Sequence, residues 1–112
     1  TDAAEGLEQN LRARRPARVY AMDWGILGPL RYLSGGKLPL SYGDSNPQAM
    51  RPLFGSPDYL FVARPEDREL VPGTRQRLHD YARTEGFTEQ VLARVLDARG
   101  TPAFEIYRFR RR

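Results

Sequence analysis

The sequence predicts an α/β domain with a small, mixed and partly parallel sheet that is flanked by helices and ends in an antiparallel β-hairpin. Short apolar runs, most plainly the one at 59–63, alternate with segments that repeat apolar residues at helical intervals. Such alternation is typical of parallel strands joined by helices. Near the end of the chain, turn-forming residues at 97–102 separate two strand-like segments.

Length and composition indicate one folded domain. The chain has 112 residues, of which 40% are hydrophobic, and a chain of this size normally forms a single core. We divide it into an N-terminal helix or connection at 1–16, a core at 17–109 and a basic tail at 110–112. The chain begins with Thr1 rather than methionine, and we expect it to be part of a longer protein.

The first predicted elements are a helix and a buried strand. Leu7 and Leu11 lie four residues apart and favour a helix at 3–14, which ends before Pro16 because proline disfavours a helical residue before it. Residues 18–22 form a nearly continuous apolar run, which is typical of a strand buried on both faces.

A second helix is predicted at 24–33. Asp23 is a natural N-cap for it, and the glycine pair Gly35 and Gly36 is a natural stop. Pro29 lies inside this segment, where it predicts a kink or a delayed start.

Prolines mark the elements of the middle of the chain. Pro39 places a short strand at 38–42 at a sheet edge, and Asn46 and Pro47 predict a capped helical turn. The clearest strand of the chain, five apolar or aromatic residues in succession, comes next. A helix at 72–85 then begins with proline and ends before a glycine.

The segment at 88–97 is ambiguous. Its apolar pairs recur at intervals that favour a helix on pattern alone. However, turn residues follow it, and 104–109 has the composition of a strand. We therefore interpret the segment as the first strand of a closing hairpin.

Composition excludes several kinds of site. The chain has no cysteine and one histidine, which excludes disulfides, thiolate zinc sites and multi-histidine metal sites. No run of roughly 18 apolar residues occurs, so the sequence predicts no membrane span. Nothing in the sequence indicates a cofactor or a bound metal.

The net charge of +4 is concentrated near the end of the chain. Without 108–112, the remainder has 14 basic and 14 acidic residues, out of 18 and 14 in the whole sequence. This neutral body disfavours nucleic-acid binding, which needs a continuous positive surface. If both ends of the chain face one side, two arginine groups form a basic rim suited to anionic lipid or a polyprenyl phosphate. These groups are Arg12, Arg14, Arg15 and Arg18, and Arg108, Arg110, Arg111 and Arg112.

Tests for catalytic motifs fail. The segment Ser34–Lys37 lacks the spacing of a phosphate-binding loop and follows a helix rather than preceding one. The sequence has no Gly-x-Ser-x-Gly turn that could supply a nucleophilic serine for a triad with His79. A surface or half-buried histidine is therefore the simpler interpretation. The acidic residues at 66–69 begin a helix or face water unless a cleft brings two of them together.

Asp23 is the carboxylate most suited to a site. It lies at the carboxyl end of a predicted strand, where ligands gather in open α/β sheets, beside Trp24 and Gly25. The simpler interpretation is that Asp23 caps a helix and Trp24 packs in the core.

Several segments together resemble the C-terminal soluble region of bacterial multi-spanning membrane glycosyltransferases of the protein-mannosyltransferase-like superfamily. The resemblance covers most of 17–109. Its segments are Val19–Ile26, Leu33–Gly36, Pro57–Val62 and Gly100–Phe109.

The resemblance implies a small α/β domain on the extracytoplasmic (periplasmic) face of the bacterial inner membrane, attached to the membrane-embedded part of the same polypeptide. It also implies sugar transfer from a lipid-phosphate-linked donor. The catalytic carboxylate of the family lies in a loop among the membrane helices, which no segment here matches, so no catalytic residue is carried over.

We therefore expect an accessory, non-catalytic domain that helps to position donor or acceptor. Two alternatives remain open: a protein-interaction module with no role in sugar transfer, and a free-standing small-molecule enzyme, which the failed motif tests disfavour. The candidate ligand contacts are Asp23, Trp24, Gly25, Gly35, Gly36 and Lys37.

Overall fold

The computed structural model describes residues 2–112 and contains a five-stranded sheet with helices on both faces. The predicted α/β class, the partly parallel sheet and the closing hairpin are confirmed. Two 3-10 turns lie at Arg51–Leu53 and Glu66–Arg68. The helices and strands are α1 (Ala3–Arg14), β1 (Arg18–Ala21), α2 (Trp24–Ser34), β2 (Leu40–Tyr42), α3 (Pro47–Met50), β3 (Tyr59–Ala63), α4 (Thr74–Thr84), β4 (Phe87–Leu96) and β5 (Pro102–Arg111).

The sheet has the strand order β2-β1-β3-β5-β4. Strand β1 runs parallel to β2 and β3, with Val19 opposite both Leu40 and Leu60. Strand β5 is antiparallel to β3 and β4, with Phe61 opposite Tyr107. We call the rim of the sheet at which β1, β2 and β3 end the upper rim, and the rim at which they begin the lower rim.

The two faces of the sheet bury different kinds of side chain. Alternate residues of each strand point to opposite faces, so Val19 and Phe61 contribute to different cores. The core beneath α1 and α2 is aliphatic, and the core beneath α3 and α4 is largely aromatic. Leu7 and Leu11 of α1 belong to the aliphatic core, so the predicted N-terminal connection packs directly on the sheet.

The hairpin interpretation of 88–97 is confirmed, and its geometry explains the ambiguous pattern. Strand β4 pairs with β5 along its whole length, but register shifts occur between Val91 and Ala93 and between Val95 and Leu96. Each irregularity interrupts the strict alternation of a strand, which produces apolar spacings that resemble those of a helix. At the turn, Asp97 Oδ1 accepts hydrogen bonds from the backbone N–H groups of Thr101 and Arg99, which lower the pKa of Asp97.

Three expectations need correction. Trp24 does not pack in the core, because its side chain begins α2 on the solvent side and is 64% exposed. Helix α4 begins at Thr74 rather than at 72, since Gly73 adopts a positive φ of 84° and turns the chain just before it. The predicted basic tail at 110–112 is mostly strand, because β5 extends through Arg111.

None of the helices formed by residues 2–112 combines the length and the apolar content that a bilayer crossing requires.

Candidate functional site

A cavity of about 230 Å³ opens at the upper rim. Its position follows from the topology, because the connection after β1 leads to α2 on one face of the sheet and the connection after β3 leads to α4 on the other. Two neighbouring parallel strands whose connections diverge in this way leave a crevice between them, the usual ligand site of open α/β sheets. We call this cavity the cleft.

One wall of the cleft is formed by a carboxylate and a guanidinium group. Asp23 Oδ1 accepts the backbone N–H of Ile26 at 3.0 Å and so caps α2, as predicted. Its second oxygen, Oδ2, accepts Arg64 Nε at 3.1 Å. Since Asp23 follows β1 and Arg64 follows β3, this pair joins the ends of two adjacent strands across the mouth of the crevice.

An aromatic pair extends this wall toward solvent. The rings of Trp24 and Tyr42 stack with their centroids 4.4 Å apart and their planes inclined at 19°. Both side chains line the cleft while remaining largely exposed, Trp24 at 64% and Tyr42 at 42%. Aromatic rings that are exposed together and rimmed by polar groups are a feature of ligand-binding grooves and interaction surfaces.

The opposite wall is the segment between β3 and α4. The Glu69 side chain accepts the backbone N–H of Thr74 through Oε2 at 3.1 Å, which fixes the loop at the start of α4. Leu70 and Val71, each 63% exposed, face the cleft from this loop. The cleft thus has an apolar lip on each side, and its polar groups lie between them.

The floor of the cleft contains a buried ionic cluster centred on Arg75, whose side chain is 7% exposed. Its Nη2 donates to Glu89 Oε1 at 2.9 Å, and its Nη1 donates to Glu105. Its guanidinium carbon lies 4.7 Å from the centre of the Tyr107 ring. The outer oxygen of Glu105 accepts Arg94 Nε at 2.7 Å. The cluster therefore holds two carboxylates and two guanidinium groups, which balance in charge.

The two carboxylates of this cluster differ in their electrostatic setting. Burial raises the pKa of Glu89 above its ordinary value in spite of the charge of Arg75. Burial also acts to raise the pKa of Glu105, but hydrogen bonds and charge from Arg75 and Arg94 outweigh it and hold that pKa below its ordinary value. Glu89 Oε2 is buried without a hydrogen-bond partner, 3.7 Å from His79 Nδ1. His79 is thus a half-buried neighbour of the cluster and not part of a triad.

The structure separates the predicted ligand contacts into two groups. Asp23 and Trp24 line the cleft, and Gly25 lies against Arg64, where a Cβ atom would come within 2.5 Å of Arg64 Nη2. The segment Gly35–Lys37 follows the other end of α2, about 16 Å away by the helical rise of 11 residues. That segment ends the helix, with Gly35 as its left-handed C-cap, and it has no contact with the cleft.

Lys37 instead lies near the arginines of the lower rim. It lines a shallow depression together with Arg12 and Arg15. Arg18, at the beginning of β1, and the last residues of β5 reach the same rim, because β5 runs antiparallel to β3. Members of both arginine groups therefore lie at one rim, whereas Arg108 lies within β5 and Arg14 reaches the backbone of Leu92. Arg12 pairs with Glu8, Arg14 with Asn10, and Arg108 with Gln90.

Sequence reasoning missed much of the cleft. Arg64 directly follows β3, the clearest strand of the chain, just as Asp23 follows the neighbouring strand β1. This shared position at the carboxyl end of a strand was a signal in the sequence that Arg64 belongs to the same site. Tyr42 ends the predicted strand β2 and so carried the same signal, whereas the loop at 69–71 had none, since it contacts the site only through tertiary folding. The pairing of Arg75 with Glu89 and Glu105 depends on the register of β4 against β5, which the sequence did not fix.

Comparison of the chain with models of protein families, with curated proteins and with solved structures finds no match. Among residues 2–112, no three histidine or carboxylate side chains lie close enough together to hold a metal ion. Within the part of the chain that the structure describes, the cleft combines a hydrogen-bonded carboxylate–guanidinium pair with stacked aromatic rings. This arrangement is suited to holding a polar ligand that also has an apolar face.

Proposed function

We propose that this chain is an accessory, non-catalytic domain of a bacterial membrane glycosyltransferase, located on the extracytoplasmic face, and that its cleft holds part of a donor or acceptor for the membrane-embedded active site. The observation that carries this proposal is the cleft wall on which the Asp23–Arg64 pair lies beside the stacked rings of Trp24 and Tyr42. The choice of parent protein follows from the resemblance carried by the sequence segments at 19–26, 33–36, 57–62 and 100–109.

The chemistry of this wall matches that of a sugar. Sugar hydroxyls both donate and accept hydrogen bonds, and an adjacent carboxylate and guanidinium offer one acceptor and several donors. The C–H faces of a sugar ring are apolar and pack on aromatic rings as other apolar groups do. The cavity volume of about 230 Å³ fits a ligand of one or two rings rather than a long chain.

The charge of the lower rim supports a position next to a membrane. The segments at this rim, 15–18, 35–39, 54–58, 85–86 and 110–112, carry six basic side chains and two acidic ones, a net charge of +4. Anionic headgroups attract such a surface by about 1 kcal/mol per basic residue near the membrane. In this arrangement the basic lower rim contacts anionic lipid, and the cleft opens at the upper rim, at the other end of the strands.

The test replaces Trp24 in the full-length membrane protein. We expect Trp24→Ala to raise the KM for sugar transfer roughly tenfold, which corresponds to about 1.4 kcal/mol of lost binding. Asp23→Asn is expected to act in the same direction while keeping the helix cap, since asparagine caps as well as aspartate does. The assay is transfer by isolated membranes at several substrate concentrations.

The matched control is Tyr32→Ala, which removes another aromatic side chain of α2, 87% exposed and outside the cleft. Equal kinetics for Trp24→Ala and Tyr32→Ala, with both proteins folded, would contradict the proposal. A native reading frame without hydrophobic spans upstream of this stretch would also overturn it.

A protein-interaction module is the second candidate, and strand β4 is the observation that favours it. Its ten residues lie at one edge of the sheet formed by residues 2–112, where an added strand from a partner could pair. However, the two register shifts in β4 interrupt its outer edge, a common device against such pairing. Retention of a second protein from detergent-solubilised membranes on this chain, abolished by Leu92→Pro but not by Trp24→Ala, would favour this candidate instead.

A further inference from the structure

We propose that the cleft takes a sugar without phosphate, either neutral or carrying an amine, and that it therefore serves the acceptor side of the reaction rather than the phosphate-linked end of the donor. This inference rests on the proposed function and makes it more specific.

The polar groups of the cleft are predominantly acidic. Three carboxylates line it, on Asp23, Asp44 and Glu69, with the guanidinium groups of Arg64 and Arg75. Arg75 is fully engaged by the two carboxylates beneath it, and Arg64 pairs through Nε with Asp23, which offsets its charge and leaves its Nη atoms open to a ligand hydroxyl. Within residues 2–112, Asp44 and Glu69 have no cation within 4.0 Å. A phosphate in the cleft would therefore meet two uncompensated negative charges.

The open hydrogen-bond positions favour hydroxyl or amine groups. Asp44 uses Oδ1 to accept the N–H of Asn46, and Glu69 uses Oε2 to accept the N–H of Thr74. In each case the second oxygen makes no hydrogen bond within the described part of the chain, so it can accept one from a ligand. Hydroxyl and ammonium groups donate such bonds, whereas ionised phosphate oxygens only accept.

The groups that complement phosphate lie at the other rim. The upper-rim segments, 22–25, 43–46, 64–73 and 97–101, carry six acidic side chains and three basic ones, a net charge of −3. The lower rim has the opposite sign and lies about 16 Å away, the length of a five-residue strand. A lipid-linked phosphate is attracted to the lower rim, and a ligand without phosphate is free to enter the cleft.

The test measures binding of paired ligands to the 112-residue chain by NMR titration at low salt. The probes are the methyl glycosides of mannose, glucose, galactose and arabinose, each paired with the corresponding sugar 1-phosphate, together with glucosamine. We expect at least one glycoside to bind and its 1-phosphate to bind at least tenfold more weakly. Glucosamine is expected to bind at least as tightly as methyl glucoside, because its ammonium group can donate to Asp44 or Glu69.

Variants that neutralise Asp44 and Glu69 test whether the charge of these carboxylates causes the weaker binding of sugar 1-phosphates. The double variant Asp44→Asn, Glu69→Gln should reduce the discrimination against the 1-phosphate at least threefold, whereas Asp67→Asn, an exposed carboxylate of the same rim that does not line the cleft, should leave it unchanged. Equal or tighter binding of the sugar 1-phosphates would overturn this inference and leave the proposed function standing. If no probe of either kind shifted the resonances of cleft residues, the proposed function would fall as well.

Discussion

The upper and lower rims of the sheet are built from the same kind of short connection, yet they carry opposite charge and different side chains. The upper rim has an acidic cleft with exposed aromatic rings, and the lower rim has arginines, Lys37 and no comparable aromatic pair among residues 2–112. The body of the chain is neutral as a sum, but the fold sorts its charges to opposite ends of the strands. Net charge alone therefore says little about which partners such a domain can meet.

The largest expected effect concerns the floor of the cleft. Arg75→Met leaves Glu89 and Glu105 buried next to an apolar side chain, and removing one partner of a buried ion pair typically costs about 3–5 kcal/mol. We expect a loss of this size in the free energy of unfolding, measured with urea at pH 7. Arg77→Met, on the exposed side of the same helix, should change it by no more than about 0.5 kcal/mol. If Arg75→Met lowered the free energy of unfolding by less than about 1 kcal/mol, the ionic cluster would not be a main contributor to the stability of the fold.

The same cluster predicts opposite pH dependences for its two carboxylates. The folded state raises the pKa of Glu89 above 4.5, so this group stabilises the protein below pH 4.5 and the contribution is lost as the pH rises through the folded pKa. The folded state lowers the pKa of Glu105 below 4.5, so its contribution is present above that pH and is lost as the pH falls.

Unfolding of Glu89→Gln and Glu105→Gln between pH 3 and pH 7 would measure both effects. As the pH rises, the stability of Glu89→Gln relative to the original protein should increase, and that of Glu105→Gln should decrease. Parallel curves for the two variants would show that the carboxylates share one environment, contrary to the contacts described here.

The smallest effect on stability belongs to the lower rim, where a functional effect is expected instead. The double variant Arg15→Glu, Lys37→Glu should reduce binding to phosphatidylglycerol vesicles at least tenfold, while the free energy of unfolding changes by about 0.5 kcal/mol or less. The control is Arg68→Glu, Arg99→Glu, which reverses two exposed charges at the upper rim. If both double variants lose vesicle binding equally, the membrane contact is not confined to one rim. Deleting 108–112 is not a usable test, because it removes residues of β5.

Much of the fold was predictable because its signals are local. Helix α2 begins after its aspartate cap and ends at its glycine pair, and the prolines correctly indicate an edge strand and a capped helical turn, although β2 begins at Leu40 rather than at 38. Trp24 was misplaced because a large apolar residue next to a cap is normally buried, whereas here it lies outside the core against Tyr42. The helix predicted at 24–33 already places Gly35–Lys37 at the opposite end of α2 from Asp23, so this segment's distance from the cleft was contained in the sequence.

The part of the site that the sequence could not supply depends on pairing between distant segments. Arg64 meets Asp23 only because β3 lies beside β1, and Arg75 meets its carboxylates only because α4 packs on β4 and β5 in one register. Such contacts require the strand order, which short-range patterns do not contain.

The strand order also affects when the domain can fold. Strand β5 is the last strand along the chain, yet it lies inside the sheet, between β3 and β4. Until it has been synthesised, β3 lacks a neighbour on one side, β4 has none, and the aromatic core is missing Tyr107 and Phe109. A growing chain therefore exposes these apolar surfaces until its final strand emerges, and we expect folding to be a late, nearly all-or-none event after translation of this segment.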